Sequence, residues 1–116
     1  MGLTLFETAL MVHLIADWVL QNEWMSVNKV HLTHPAAWVH GLIHGVLLGL
    51  VFGWAGGIAL GLAHIVIDSR VPIRWWIKNF KKCENSPDLR ILLIGCDQVL
   101  HLMCIAGLIV YAAHWK

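Results

Sequence analysis

Four apolar stretches divide the chain, at Leu3–Leu20, Ala36–Trp54, Gly57–Val71 and Ile91–Ala113. A bilayer core of about 30 Å takes about 20 such residues as one helix, with a range of about 17–25. The first, second and fourth stretches meet that length, and the third is short. Only Ala55-Gly56 joins it to the second, which predicts a tight helical hairpin with a glycine turn. Thr33-His34-Pro35 opens the second helix with proline in its first turn. Ser86-Pro87-Asp88 opens the fourth, as N-cap, first-turn proline and an acidic residue near the positive dipole end. Trp18, Trp24, Trp38, Trp54, Trp75 and Trp115 fall at or beside span ends, as an aromatic belt requires. Between Pro72 and Lys82, one helical face carries Ile73, Trp76, Ile77 and Phe80, with Arg74, Lys78 and Lys81 off it. That pattern predicts a short basic helix lying in the membrane surface. The expected architecture is all-α: one domain over residues 1–116, a bundle of four transmembrane helices with the basic helix between the third and fourth.

Composition agrees with a membrane setting. Hydrophobic residues make up 59% of the 116-residue chain and charged residues 13%, against about 45–50% and about 25% in soluble domains. A net charge of +1 leaves no basic patch for nucleic acid. Cys83, Cys96 and Cys104 form no paired framework. The positive charges are uneven. Arg70, Arg74, Lys78, Lys81, Lys82 and Arg90 lie between the third and fourth stretches, and Lys29 follows the first. Only Lys116 and the amino terminus fall on the other side. The positive-inside rule then predicts an inner-membrane, multi-pass protein with both long loops cytoplasmic and both termini outside.

Ionisable groups inside spans are costly and point to function. Each stretch carries one pair at i, i+4 spacing: His13 with Asp17, His40 with His44, His64 with Asp68, and Asp97 with His101. Both members of each pair share a helix face. With alternating span directions, all four pairs fall in the cytoplasmic half. Four such faces turned inward build one His/Asp cluster, the way helical bundles hold metals. A divalent ion would compensate the buried carboxylates, and imidazole with carboxylate suits zinc or another first-row ion. The expected ligands are His13, Asp17, His40, His44, His64, Asp68 and His101, with Gln21 and Gln98 orienting them. A polar packing network and a proton or ion path are the alternatives; no comparable polar row continues into the outer half. His31, His34 and His114 lie outside the layer, and Glu7 has no partner legible in the sequence. Gly41, Gly45, Gly49 and Gly53 recur every fourth residue, a face for close packing against the third helix or a second copy of the chain.

His13-Leu-Ile-Ala-Asp17-Trp-Val-Leu-Gln21, His40-Gly-Leu-Ile-His44, His64-Ile-Val-Ile-Asp68 and Asp97-Gln98-Val-Leu-His101, in that order, resemble a family of small bacterial and phage membrane proteins of unknown function. The resemblance implies a helical membrane fold and no particular activity. More loosely, the pattern is similar to small membrane proteins presumed to be metal-dependent hydrolases. Two functions follow. One is a metal-dependent hydrolase acting on an ester or phosphoester of a membrane lipid, the metal polarising the scissile group. Asp97 or Asp17 would take the proton, and Arg70, Arg74, Lys78 and Lys81 would hold an anionic headgroup. The other is a non-enzymatic membrane protein whose metal or polar cluster locks the bundle while it binds a partner, alters the membrane or interferes between phage and host.

Overall fold

In the computed structural model, which describes residues 2–114, helices account for all the regular structure. α1 (Leu5–Leu14) runs on into a π turn at Ile15–Val19. α2 (Glu23–Asn28) is short; α3 (Pro35–Phe52) and α4 (Trp54–Asp68) form a hairpin. α5 (Val71–Trp76) also ends in a π turn, at Ile77–Lys81, and α6 (Leu89–His114) closes the chain. α1 and α4 each pack on both α3 and α6, so these four helices close a ring. The molecule measures 44 Å on its long axis, more than the thickness of a bilayer core.

The helix ends follow local chemistry. Thr4 Oγ1 accepts from the backbone N–H of Glu7 while Glu7 Oε2 accepts from the N–H of Thr4. This reciprocal capping box gives Glu7 the partner that the sequence reading did not supply, although Thr-x-x-Glu is its signature. His34 caps α3 through Nδ1, which accepts from Ala36 N–H, and Pro35 takes the first helical position. The α3–α4 turn is not the expected Ala55-Gly56 pair. It is Gly53 alone, at φ 87°, a left-handed value that glycine adopts without a Cβ penalty. Ser86 turns the chain before α6, its Oγ accepting from Asp88 N–H, and the helix proper begins at Leu89. Trp115 and Lys116, expected at the outer surface, lie outside the described residues.

The glycine face is spent within the chain. A Cβ on Gly57 would sit 2.5 Å from the carbonyl oxygen of Gly45, and one on Gly61 would sit 3.1 Å from that of Gly41. Close backbone approach without side chains is how helices associate where lipid offers no hydrophobic drive. On its outer side the seam opens as an apolar groove between Trp38, Leu42, Trp54 and Ile58, lined also by Gly41, Gly45, Gly57 and Gly61.

The expectation of four spans is met only in part. α3 and α6 are long and apolar enough to cross a membrane, and the α4–α5 pair adds a third span if counted as one. α1 with its π turn covers Leu5–Val19, about 22 Å at 1.5 Å per residue, short of a full crossing. The basic segment also departs from expectation. Arg70 in the left-handed region breaks the helix, and α5 leaves α4 at a bend of 51°. Ile73 and Ile77 are buried with Ile67 and Leu93, while Trp76 and Phe80, expected on the same face, stack at 4.1 Å on the exposed side. Only the Ile73–Ile77 edge of that face is therefore buried.

Candidate metal centre

Each ring helix carries a buried stripe at four-residue spacing: Ala9, His13, Asp17 on α1; His40, His44, Leu48 on α3; Leu60, His64, Asp68 on α4; and Leu93, Asp97, His101, Ile105 on α6. Aligned across the ring, the stripes form layers. Ala9, Leu48, Leu60 and Ile105 make an apolar layer. His13, His44, His64 and His101 make the next, their rings in mutual contact. Asp17, His40, Asp68 and Asp97 make the third. Ile67, Ile73, Ile77 and Leu93 form a second apolar cluster, against α5. All eight ionisable side chains are at most 5% exposed.

The Nε2 atoms of the histidines turn toward the carboxylates. Asp17 Oδ1 lies 3.0 Å from His40 Nε2 and 3.3 Å from His44 Nε2. Asp68 Oδ1 lies 3.0 Å from His101 Nε2. Asp68 Oδ2 lies 2.7 Å from His64 Nε2 and 3.3 Å from His40 Nε2. His40 therefore bridges two carboxylates. His13 Nε2 faces Gln98 Oε1 at 3.3 Å, and Gln98 Nε2 donates to Asp17 Oδ2 at 2.8 Å and to Asp97 Oδ2 at 3.2 Å. Gln98 thus touches three of the eight. Gln21, the other expected orienter, has a buried Oε1 with no hydrogen-bond partner among the described residues.

Whether the donors fit a metal is decided by the contacts that are not hydrogen bonds. His64 Nε2 and Asp68 Oδ2 are 2.7 Å apart, yet both are buried without a hydrogen-bond partner, as is Asp97 Oδ1. A buried polar atom left unmatched costs about 1–3 kcal/mol. Two of them this close without hydrogen-bond geometry are placed as a ligand pair would be. In two groups the donor atoms all lie within 4.8 Å of one another, the distance requirement for sharing one ion: Asp17 with His40, His44 and His64, and His64 with Asp68 and His101. The residues fit a divalent ion with nitrogen and oxygen donors.

Lys29 is the member that the sequence reading missed as a site residue. Asn22 caps α2 through Oδ1, which accepts from Met25 N–H; Met25 is buried, and the chain leaving the helix brings Lys29 Nζ to 3.7 Å from Asp68 Oδ2. The Asn22-Glu23 start of α2 was the available signal. Arg74 on α5 and Lys78 and Lys81 in the π turn that follows lie exposed, and Arg70 is half-buried at the break. A cavity of about 10 Å³ lies between the histidine layer and the apolar one, against His13, His64 and His101. It has room for about one water molecule.

No curated protein and no solved structure matches the chain. The profile of one family, described as a protein of unknown function (DUF3307), matches residues 5–116, the ring helices and every residue of the cluster included. The chain belongs to the DUF3307 family.

Proposed function

We propose that this chain is an integral membrane metalloprotein that holds a divalent ion, zinc by its donor set, inside the helical ring. The observation that carries this reading is the 2.7 Å approach of His64 Nε2 to Asp68 Oδ2 without hydrogen-bond geometry, both atoms buried. The ion would draw its ligands from His40, His44, His64, His101, Asp17 and Asp68; Gln98 fixes Asp17, and His13 lies against Gln98. In this reading α3 and α6 cross the inner membrane by their own length, α1 and α4 cross only together with the residues that flank them, the loops at residues 21–35 and 72–86 face the cytoplasm, and both termini lie outside. An impermeant thiol reagent should then label Cys83 only in opened cells. Elemental analysis of detergent-purified protein tests the metal. At least one ion per chain is expected, and a ratio near zero in protein never exposed to chelator overturns the reading.

A second reading, hydrolysis of an ester or phosphoester of a membrane lipid, has its own support in Asp97. Both oxygens of Asp17 are engaged, by His40 and His44 on one side and Gln98 on the other, whereas Asp97 Oδ1 has no hydrogen-bond partner. Asp97 is therefore the proton acceptor of the two. The ion would polarise the scissile oxygen. The small cavity admits no headgroup, so a lipid would reach the cluster only by parting the helices from the side. The exposed cations of α5 and its π turn, Arg74, Lys78 and Lys81, would meet its anionic head. Labelled lipid extracts incubated with wild type and Asp97→Asn separate the two readings: turnover lost in Asp97→Asn with metal retained supports hydrolysis, and no turnover in wild type leaves the ion a structural one.

A further inference from the structure

We infer that the cluster is built for two adjacent divalent ions rather than one, the first held by Asp17, His40 and His44 and the second by His64, Asp68 and His101. This rests on the metalloprotein reading above and sets how many ions it requires.

The division follows from the donor atoms. The two groups that meet the distance requirement share one residue, His64. Its Nε2 is 2.7 Å from Asp68 Oδ2 and 3.8 Å from Asp17 Oδ1, so it belongs with Asp68. Assigning it there leaves each group with three donors and no residue in common. Three protein ligands per ion is the number of open, three-ligand zinc sites. A single ion held by Asp17, His40, His44 and His64 would leave Asp68 Oδ1 to His101 and Asp68 Oδ2 unmatched, at the cost already described.

The contacts around each carboxylate point the same way. Asp17 Oδ1 gathers His40 and His44, and Asp68 gathers His64 on one oxygen and His101 on the other. The two sets touch: the rings of His44 and His64 stack at 3.5 Å, and His40 Nε2 stands 3.0 Å from Asp17 and 3.3 Å from Asp68. Donors so interleaved place two ions side by side, the arrangement of two-metal sites, whose ions stand about 3.5–4 Å apart. Each ion would also tie a different pair of helices, α1 to α3 and α4 to α6.

Zinc stoichiometry decides this. Full-length protein in detergent is loaded with zinc, freed of excess by gel filtration and measured by elemental analysis beside His44→Ala and His101→Ala, with helicity checked by circular dichroism. The expected ratios are near two for wild type and near one for each variant. A wild-type ratio near one overturns the two-ion inference and leaves the metalloprotein reading standing; a ratio near zero overturns both. A folded variant that keeps both ions, or loses both, overturns the division of donors. Should either variant fail to fold, the wild-type ratio alone decides the number of ions, and His44→Gln and His101→Gln repeat the division test.

Discussion

Lys29 and Gln98 show how much a single side chain can do from the edge of a cluster. Lys29 supplies the cation nearest Asp68, so its effect should change sign with metal. Without metal, Lys29→Met leaves Asp68 short of a partner and should cost about 1–3 kcal/mol of stability. With metal, the ammonium repels the ion. Unit charges 4 Å apart interact by about 4 kcal/mol at an effective dielectric of 20, so Lys29→Met should tighten metal binding by about 10-fold or more. Melting curves with chelator and competitive metal titrations check the two arms; a loss in both would mean that Lys29 serves only packing. Gln98 contacts His13, Asp17 and Asp97 at once. Gln98→Leu should lower metal affinity by about 10–100-fold, the range for residues that orient ligands. Gln21→Leu should leave affinity unchanged. The i, i+4 spacing made the eight cluster residues legible in the sequence, because helix geometry alone puts such pairs on one face. Lys29 was not legible that way, since its position depends on α2 and on where the loop docks.

Among the elements, the α3–α4 hairpin is the tightest seam, and its test lies at Gly57. A methyl there meets the backbone of Gly45 and Gly49, which cannot swing aside as a side chain would. Gly57→Ala should destabilise by about 1–3 kcal/mol, the usual cost of overpacking. Gly95→Ala, where an added Cβ finds nothing within 4 Å, should be neutral or slightly stabilising, because alanine favours a helix by about 1 kcal/mol over glycine. Thermal melts of the two variants make the comparison; equal losses would mean that the seam is loose in the membrane. Hydropathy found the helices but not their joints. The one-residue turn at Gly53 looks in sequence like any other step of a glycine series. The break at Arg70 carries no glycine or proline of its own, and Pro72 comes two residues later. Both joints are set by which side chains must face the ring, a tertiary demand that no local window contains.

For the whole molecule, metal and fold should be one equilibrium. Ligands drawn, between them, from all four ring helices mean that bound metal stabilises the assembled ring, by an amount that grows with the logarithm of its concentration over the dissociation constant. A chelator should therefore lower the melting temperature of wild type and shift it far less in Asp68→Asn, which has already lost one charged donor. Equal shifts in the two would remove Asp68 from the ligand set.

The four-residue period of the buried stripes has a geometric cost. A straight α-helix turns once in 3.6 residues, so a stripe stepping by four drifts around the helix by about 40° per step. Such a stripe can face a bundle axis for only three or four steps before it rotates out toward lipid. On α6 it lasts from Leu93 to Ile105 and no further. On α1 the π turn at Ile15–Val19 winds more slowly than an α-helix, which holds Asp17 in phase with His13. Rotation thus limits the buried stripe to about four layers, and on α6 Leu93 and Ile105 take the outer two and leave two for the polar core. One residue inserted between His40 and His44 would turn the two ends of α3 by about 100° relative to each other, sending one histidine to the lipid while the other stayed inside.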